Sequence, residues 1–334
     1  MNPKATRLHF NGKEMVLTGH DLPPPGAAEV RIRAEYSNIS IGTELEYIRK
    51  ARASGQPAPP LGYSLVGIVE AAGPGASVRE GQRVLALAPH ASAVVVSAAH
   101  GSLNVVPDTL DPAHATLGTL ASVALHVVQR AAPALGESVV LFGCGLVGAL
   151  VLQVLKHSGA ERVAVVEPDE PRRQLAESLG ADVTADPSRQ DLQHALRTAA
   201  GTAGADLVIE TAASGSVFPS AFEVLRIGGR LVCTSTFLDG LAVPLYPDIV
   251  EKELTVMGAH QPKCPPVPVP YYPYSQFENR ARGLEWMARG VLKTDKLITH
   301  RVPAAEAPAF YARLAADRSV LGVVIDWTEP GGSL

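Results

Sequence analysis

The sequence predicts an α/β protein in which a doubly wound parallel sheet is joined to a second, β-rich domain. Three observations predict it. The short apolar strand Val139–Phe142 runs into Gly143-Cys144-Gly145-Leu146-Val147-Gly148, and helical apolar spacing follows. From Ser138 onward strand-like and helix-like segments alternate, which is the grammar of a parallel sheet. The first third instead carries apolar/polar alternation broken by turn signals, the pattern of an antiparallel or barrel-like domain.

In chain order, Glu29–Ile39 sets Val30, Ile32, Ala34 and Tyr36 against Arg31, Arg33 and Glu35, a strand with one wet face. Further strands are expected at Leu65–Glu70, Arg83–Ala88 and Ala93–Val96, punctuated by Pro23-Pro24-Pro25-Gly26 and Gly73-Pro74-Gly75. Ala113–Arg130 is rich in small residues at helical spacing and is expected to bridge the domains. The second region predicts strands at Val139–Phe142, Arg162–Val166, Leu207–Glu210, Arg230–Cys233 and Leu254–Met257. Helices are expected at Leu146–His157, Pro171–Leu179, Asp191–Thr198 and Val217–Leu225. Pro262–Pro273 holds six prolines and cannot be a regular element. A helix near Arg280–Arg289 and an αβ tail to Trp327 are expected to return to the first domain.

Composition narrows the class. The 334 residues suggest two domains, and 46% hydrophobic against 19% charged residues suffice for packed cores. A net charge of −4 without a basic run argues against a nucleic-acid partner. Cys144, Cys233 and Cys264 lie far apart, which excludes a disulfide framework and fits a reducing compartment. MNPKATRLHF lacks the apolar core of a signal peptide, and no apolar run reaches membrane-spanning length. The expectation is a cytoplasmic protein with no membrane association.

The glycine motif carries the chemistry. Gly143 allows the tight strand-to-helix turn, Gly145 lets a pyrophosphate approach the backbone, and Gly148 seats the helix against the sheet. Cys144, Leu146 and Val147 complete that loop, Cys144 as a small side chain against the sheet. Glu167 ends the second strand about 20 residues further on, where a dinucleotide fold places the acid that bonds the adenosine ribose. A glycine-rich turn in an ordinary α/β domain is the bland reading; the flanking strand, helix and acid favour a Rossmann dinucleotide site. Glu167, with Asp169 beside it, favours NAD(H), and NADP(H) stays possible through Arg172 and Arg173, whose ordinary role is helix-surface charge.

Several stretches resemble the medium-chain dehydrogenase/reductase superfamily: Gly42-Thr43-Glu44, Pro60-Leu61-Gly62-Tyr63-Ser64-Leu65-Val66-Gly67, Gly81-Gln82-Arg83-Val84, the glycine fingerprint, and Leu225-Arg226-Ile227-Gly228-Gly229-Arg230. The resemblance implies a GroES-like catalytic domain over 1–123, a Rossmann domain over 124–262 and a C-terminal return to the catalytic domain over 263–334. It also implies a homodimer paired through the strand Leu254–Met257. Thr211 and Ala212 would then lie near the nicotinamide ribose, and Thr234 and Ser235 on the same carboxyl edge of the sheet. Zinc-dependent members carry a cysteine where Ile41 stands, His-Glu where Tyr63-Ser64 follows Gly62, and Cys or Glu in the region of Leu117–Leu120. The four-cysteine structural lobe is also missing, so no zinc is expected. Ile-Gly-Thr-Glu with Leu-Gly-Tyr-Ser looks like the zinc-free branch that includes bacteriochlorophyllide dehydrogenases and dehydrogenases of carbohydrate and secondary metabolism.

Without a metal, hydrogen-bond donors must stabilise the carbonyl oxygen and deliver its proton. Tyr63, at a lost ligand position, is the first candidate, with a packed aromatic plug as its bland alternative. Glu44 would bond it, and Ser40, Thr43 and Ser64 would supply hydroxyls beside it. His90, after Pro89, would close a proton relay, although a surface-loop histidine is the commoner case. His126 reads as helix packing. His260 and the trio Tyr271, Tyr272 and Tyr274 would border the substrate, or the tyrosine segment would form a dimer contact. The leading expectation is zinc-independent oxidoreduction between a secondary alcohol and a ketone on a sugar, aminosugar or cyclitol-like metabolite. Reduction of an activated C=C bond is the second, and a catalytically silent nucleotide-binding protein the third.

Overall fold

The computed structural model describes residues 4–188, 204–235, 243, 245–270 and 272–329; the helix expected at Asp191–Thr198 and residue Tyr271 lie outside them. The chain divides into two compact units. One combines Met1–Thr119 with Pro265–Leu334, and the other is the uninterrupted Leu120–Cys264.

The first unit opens with β1 (Lys4–Phe10) and β2 (Met15–Asp21), an antiparallel ribbon. β3 (Glu29–Ile39) follows the alternation of its sequence: Val30, Ile32 and Ala34 are buried, while Arg31 and Arg33 reach Glu70 at 3.4 and 3.1 Å. β3 pairs antiparallel with β4 (Leu65–Ala72), β4 with β5 (Arg83–Ala86), and β5 with β7 (Asn104–Val105); β6 (Ala93–Ser97) adds to β3. Gly67 is required where β3 and β4 close up, because a Cβ there would stand 2.1 Å from the Arg33 carbonyl oxygen.

Between β3 and β4 lies α1 (Ile41–Ser54). The Gly42-Thr43-Glu44 motif is therefore a first helical turn rather than an open turn. Ile41, Leu45 and Ile48 at helical spacing turn one face to the core, and Gly55 ends the helix with a left-handed φ of 68°. The small-residue stretch that the spacing presents as one bridging helix is two. α2 (Pro112–Ala115) is capped by the Asp111 carboxylate, and α3 is Gly118–Ala131. The Thr116 hydroxyl donates back to the Ala113 carbonyl at the break.

The second unit is the doubly wound sheet. β8 (Glu137–Phe142), α4 (Leu146–Lys156), β9 (Ala160–Val166), α5 (Glu170–Ser178), β10 (Val183–Ala185), β11 (Ala205–Glu210), α6 (Phe218–Val224), β12 (Leu225–Cys233) and β13 (Thr255–Gly258) follow in sequence. Every pairing is parallel, in the order β10-β9-β8-β11-β12-β13. The order reverses beside β8, so the crevice for a ligand lies at the carboxyl end of that strand. α4 is buried from Gly148 to Leu155 and apolar there except for Gln153, whose amide donates to the Ala149 carbonyl at 3.2 Å.

The chain then returns to the first unit through α7 (Gln276–Ala288), β14 (His300–Pro303), α8 (Ala307–Leu314) and β15 (Val323–Asp326). β15 pairs antiparallel with β3, and β14 parallel with β15. Phe310, Tyr311 and Trp327 join Leu8, Phe10, Ile32 and Ile48 in one core.

Candidate active site

The glycine loop of the second unit is built as a cradle. Gly143 has φ 94°, and a Cβ there would meet the Ala212 backbone at 2.8 Å. A Cβ on Gly148 would stand 2.2 Å from the Gly143 carbonyl oxygen and 2.8 Å from Thr211 Oγ1. Gly145 differs from both: it caps α4 without a side-chain hydrogen bond, and nothing lies within 4 Å of where its Cβ would be. Gly145, Leu146 and Val147 are half-buried, so unpaired first-turn amides face an open space suited to a pyrophosphate. The residues present fit a dinucleotide. Gly145→Ala is therefore expected to leave thermal stability unchanged while weakening dinucleotide binding at least about tenfold, roughly 1.4 kcal/mol. Calorimetry beside a fluorescence titration with NADH checks both.

Glu167 is buried and tied to the loop: its carboxylate accepts from the Cys144 amide at 2.8 Å and the Asp169 amide at 3.0 Å. Each oxygen keeps a lone pair for a ribose hydroxyl. The Cys144 amide is thereby committed to Glu167. Its thiol, buried and close to that carboxylate, is pushed up to about 12. Arg173 is not helix-surface charge. It is buried and donates to the Glu167 and Pro168 carbonyls at 2.7 Å each and to Glu170. Arg172, on the same helix, is half-buried.

Along the same edge, the Thr211 hydroxyl donates to the Phe142 and Gly143 carbonyls at 3.0 Å, locking the loop, and Ala212 packs against Gly143. Thr234 donates to the Glu210 carbonyl at 2.6 Å. Sequence reasoning missed Glu210, a fully buried carboxylate that accepts from Ser235 Oγ at 2.7 Å and the Ala213 amide at 2.8 Å. The available signal was an acid closing the apolar run Leu207–Ile209.

In the first unit, the Tyr63 hydroxyl donates to Ser40 Oγ at 2.5 Å and also bonds Thr43. Burial raises its pKa, the Ser40 bond opposes that, and the nearby Glu44 charge raises it further. The net result is a phenol that keeps its proton well into alkaline solution. Glu44 does not bond Tyr63, contrary to expectation. It is buried and accepts from His90 Nε2 at 3.1 Å, the Ser40 amide at 2.7 Å and the Tyr311 hydroxyl. Nor is His90 a surface-loop residue: it is wholly buried, with Nδ1 2.8 Å from Ser37 Oγ. Ser64 is not beside Tyr63 either. Successive side chains leave an extended backbone in opposite directions, and its hydroxyl bonds the Thr116 carbonyl and Thr119 Oγ1 at 2.6 and 2.7 Å.

His260 is exposed, near the buried His126, whose pKa burial, Arg130 and His260 together push down to about 4. Tyr272 and Tyr274 meet edge to face at 5.6 Å, and Val269 and Tyr272 form an isolated antiparallel bridge in the proline-rich segment.

The glycine cradle suits a dinucleotide, and the known proteins that this chain resembles are dehydrogenases. A profile of the zinc-binding dehydrogenase family matches residues 147–268. The (R,R)-butanediol dehydrogenase of Bacillus subtilis is 32% identical over 203 residues, 59% of this chain and 52% of that protein. The erythritol/L-threitol dehydrogenase of Mycolicibacterium smegmatis is 30% identical over 203 residues, 60% of this chain and 52% of that one. The match thus spans about half the length of these curated relatives. A Sinorhizobium meliloti protein solved with NADP bound superposes with a TM-score of 0.81 at 23% identity, covering 97% of this chain and 100% of its own. Together these likenesses support the medium-chain dehydrogenase/reductase superfamily that the sequence motifs resemble.

That family name implies a zinc ion, and the donor set here does not fit one. Ile41 is a hydrocarbon, and Glu44 and His90 are engaged with each other. Among the described residues no group of three or more His, Cys, Asp or Glu is placed to hold a metal. Among them, too, no helix is long and apolar enough to cross a membrane.

Proposed function

We propose that the protein is a zinc-independent, nicotinamide-dependent oxidoreductase that interconverts a secondary alcohol and a ketone. The observation that carries this reading is the Tyr63 hydroxyl, held protonated and bonded to Ser40 at a position where zinc-dependent members keep a metal ligand. When bound, the nicotinamide cofactor supplies the two-electron transfer at the carbinol carbon. Gly143, Gly145, Leu146, Val147 and Gly148 cradle its pyrophosphate, and Glu167 takes the adenosine ribose, which favours NAD(H) over NADP(H). Thr211, Ala212, Thr234 and Ser235 line the carboxyl edge beside it. During reduction the Tyr63 hydroxyl turns from Ser40 to the carbonyl oxygen and gives up its proton, and the phenolate left behind is reprotonated from solvent through the Ser40 and Thr43 hydroxyls that position it; oxidation runs these steps in reverse.

The substrate class is a polyhydroxylated metabolite such as a sugar, aminosugar or cyclitol; relatives named as butanediol and erythritol/L-threitol dehydrogenases, for a diol and for polyols, support it. The test is turnover by metal-analysed protein, with NADH and NADPH compared, on a panel holding keto-sugars, inosose, erythrulose and acetoin. Oxidation of NADH by a keto-sugar or inosose, without stoichiometric zinc, is expected. Stoichiometric zinc, or turnover of enones alone, overturns the reading.

The same reading includes a homodimer. β13 is an edge strand, and Ile227, Leu245, Tyr246, Val250 and Val256 are exposed around that end of the sheet. Val256→Lys is expected to convert dimer to monomer in sedimentation without changing the far-ultraviolet spectrum.

A further inference from the structure

We propose that Glu44, clamped by His90 and Tyr311, is a positioning residue that frees the Ser40 hydroxyl to hold Tyr63. The inference rests on the role assigned to Tyr63 above. Ser40 is the N-cap of α1, and a serine there ordinarily spends its hydroxyl on an amide of the first turn. Here it makes no cap bond. Glu44 instead reaches back to the Ser40 amide at 2.7 Å, supplying half of a capping box from one residue further along. The Ser40 hydroxyl is thereby left to accept from Tyr63 at 2.5 Å.

The clamp on Glu44 is out of proportion to a cap. A helix cap contributes little, whereas burying a carboxylate costs far more. Glu44 is 1% exposed, and no lysine or arginine among the described residues pairs with it. Its charge is met by hydrogen bonds alone, from His90, Tyr311 and the Ser40 amide. Their directions follow from one another. An ionised carboxylate only accepts, so His90 presents Nε2–H to it and Nδ1 accepts from the Ser37 hydroxyl. Ser37 in turn accepts the Trp327 indole N–H at 2.9 Å. With a neutral imidazole these donors and acceptors form one consistent chain from Trp327 to Glu44. The backbone holds the ring in place as well: the His90 amide donates to the Leu61 carbonyl, and the His90 carbonyl accepts from the Leu8 amide, each at 3.0 Å. Gly62 has φ 85°, and a Cβ there would strike the imidazole at 2.8 Å. The lost ligand region has become a scaffold that aims a phenol.

A double-mutant cycle on the full-length enzyme tests this, using the substrate that turns over in the panel above. Tyr311→Phe, which keeps the ring and deletes one donor to Glu44, is expected to lower kcat about tenfold, roughly 1.4 kcal/mol, with KM for the cofactor unchanged. In a Tyr63→Phe background the same change is expected to have no further effect. An equal loss in both backgrounds overturns the positioning role and leaves the proposed function standing. A Tyr63→Phe enzyme with undiminished turnover overturns both. A crystal structure of Glu44→Leu gives a readout independent of activity: the Ser40 hydroxyl is expected to swing onto a first-turn amide of α1 and release Tyr63. Retention of the Tyr63–Ser40 bond there overturns the inference. Should that variant not fold, Ser40→Ala, at a half-buried hydroxyl, enters the same cycle against Tyr311→Phe, with non-additive losses expected and additive ones overturning it.

Discussion

Tyr63→Phe is expected to lower kcat for carbonyl reduction by a factor of about a hundred or more, the scale of a positioned general acid, while the affinity for NADH stays where it was. The ring keeps its packing, and only the hydroxyl that meets Ser40 and Thr43 is removed. No pH optimum is expected to reflect Tyr63 ionisation below about 10, its ordinary value, because burial and the Glu44 charge both favour the neutral phenol. Steady-state kinetics between pH 6 and 10 on both enzymes check the two statements together. A loss confined to KM would mark Tyr63 as a wall of the substrate site instead of its proton donor.

Gly148→Ala is expected to be the most damaging single change in the nucleotide-binding unit. The added methyl would lie 2.2 Å from the Gly143 carbonyl oxygen and 2.8 Å from Thr211 Oγ1. Neither atom is the loose end of a flexible side chain, so α4 must move away from the loop. Overpacking of this kind costs about 3 kcal/mol, enough to lower the unfolding temperature by several degrees and to abolish tight NADH binding. Set beside Gly145→Ala, which fills empty space, the pair separates a glycine needed for packing from one needed for ligand.

How much of this was legible in the sequence follows sequence distance. The Gly143–Gly148 cradle and Glu167 could be read because a βαβ unit writes its geometry into some 30 neighbouring residues. β3 was legible at both ends because its alternation is strict from Val30 to Ala34. α1 was hidden by the motif at its start, although Ile41, Leu45 and Ile48 announce it. The surroundings of Tyr63 were legible only in part. Ser40 and Thr43 precede it by a short stretch, but Glu44 is bound by Tyr311 across 267 positions, and Trp327 meets Ser37 across 290. No local pattern encodes such a pair. The expected Glu44–Tyr63 bond failed for that reason: a carboxylate takes the donors that packing brings to it, and two came from a loop and a helix distant in sequence.

The return of the chain to β3 has a consequence for biosynthesis. The second unit is one continuous stretch, so it can fold as soon as it leaves the ribosome. The first unit cannot, because β15, Tyr311 and Trp327 follow the whole second unit in the chain. Until they arrive, the Tyr36–Ile39 stretch of β3 lacks its β15 partner and Glu44 lacks the Tyr311 donor. The nucleotide cradle can therefore be finished before the tyrosine scaffold is.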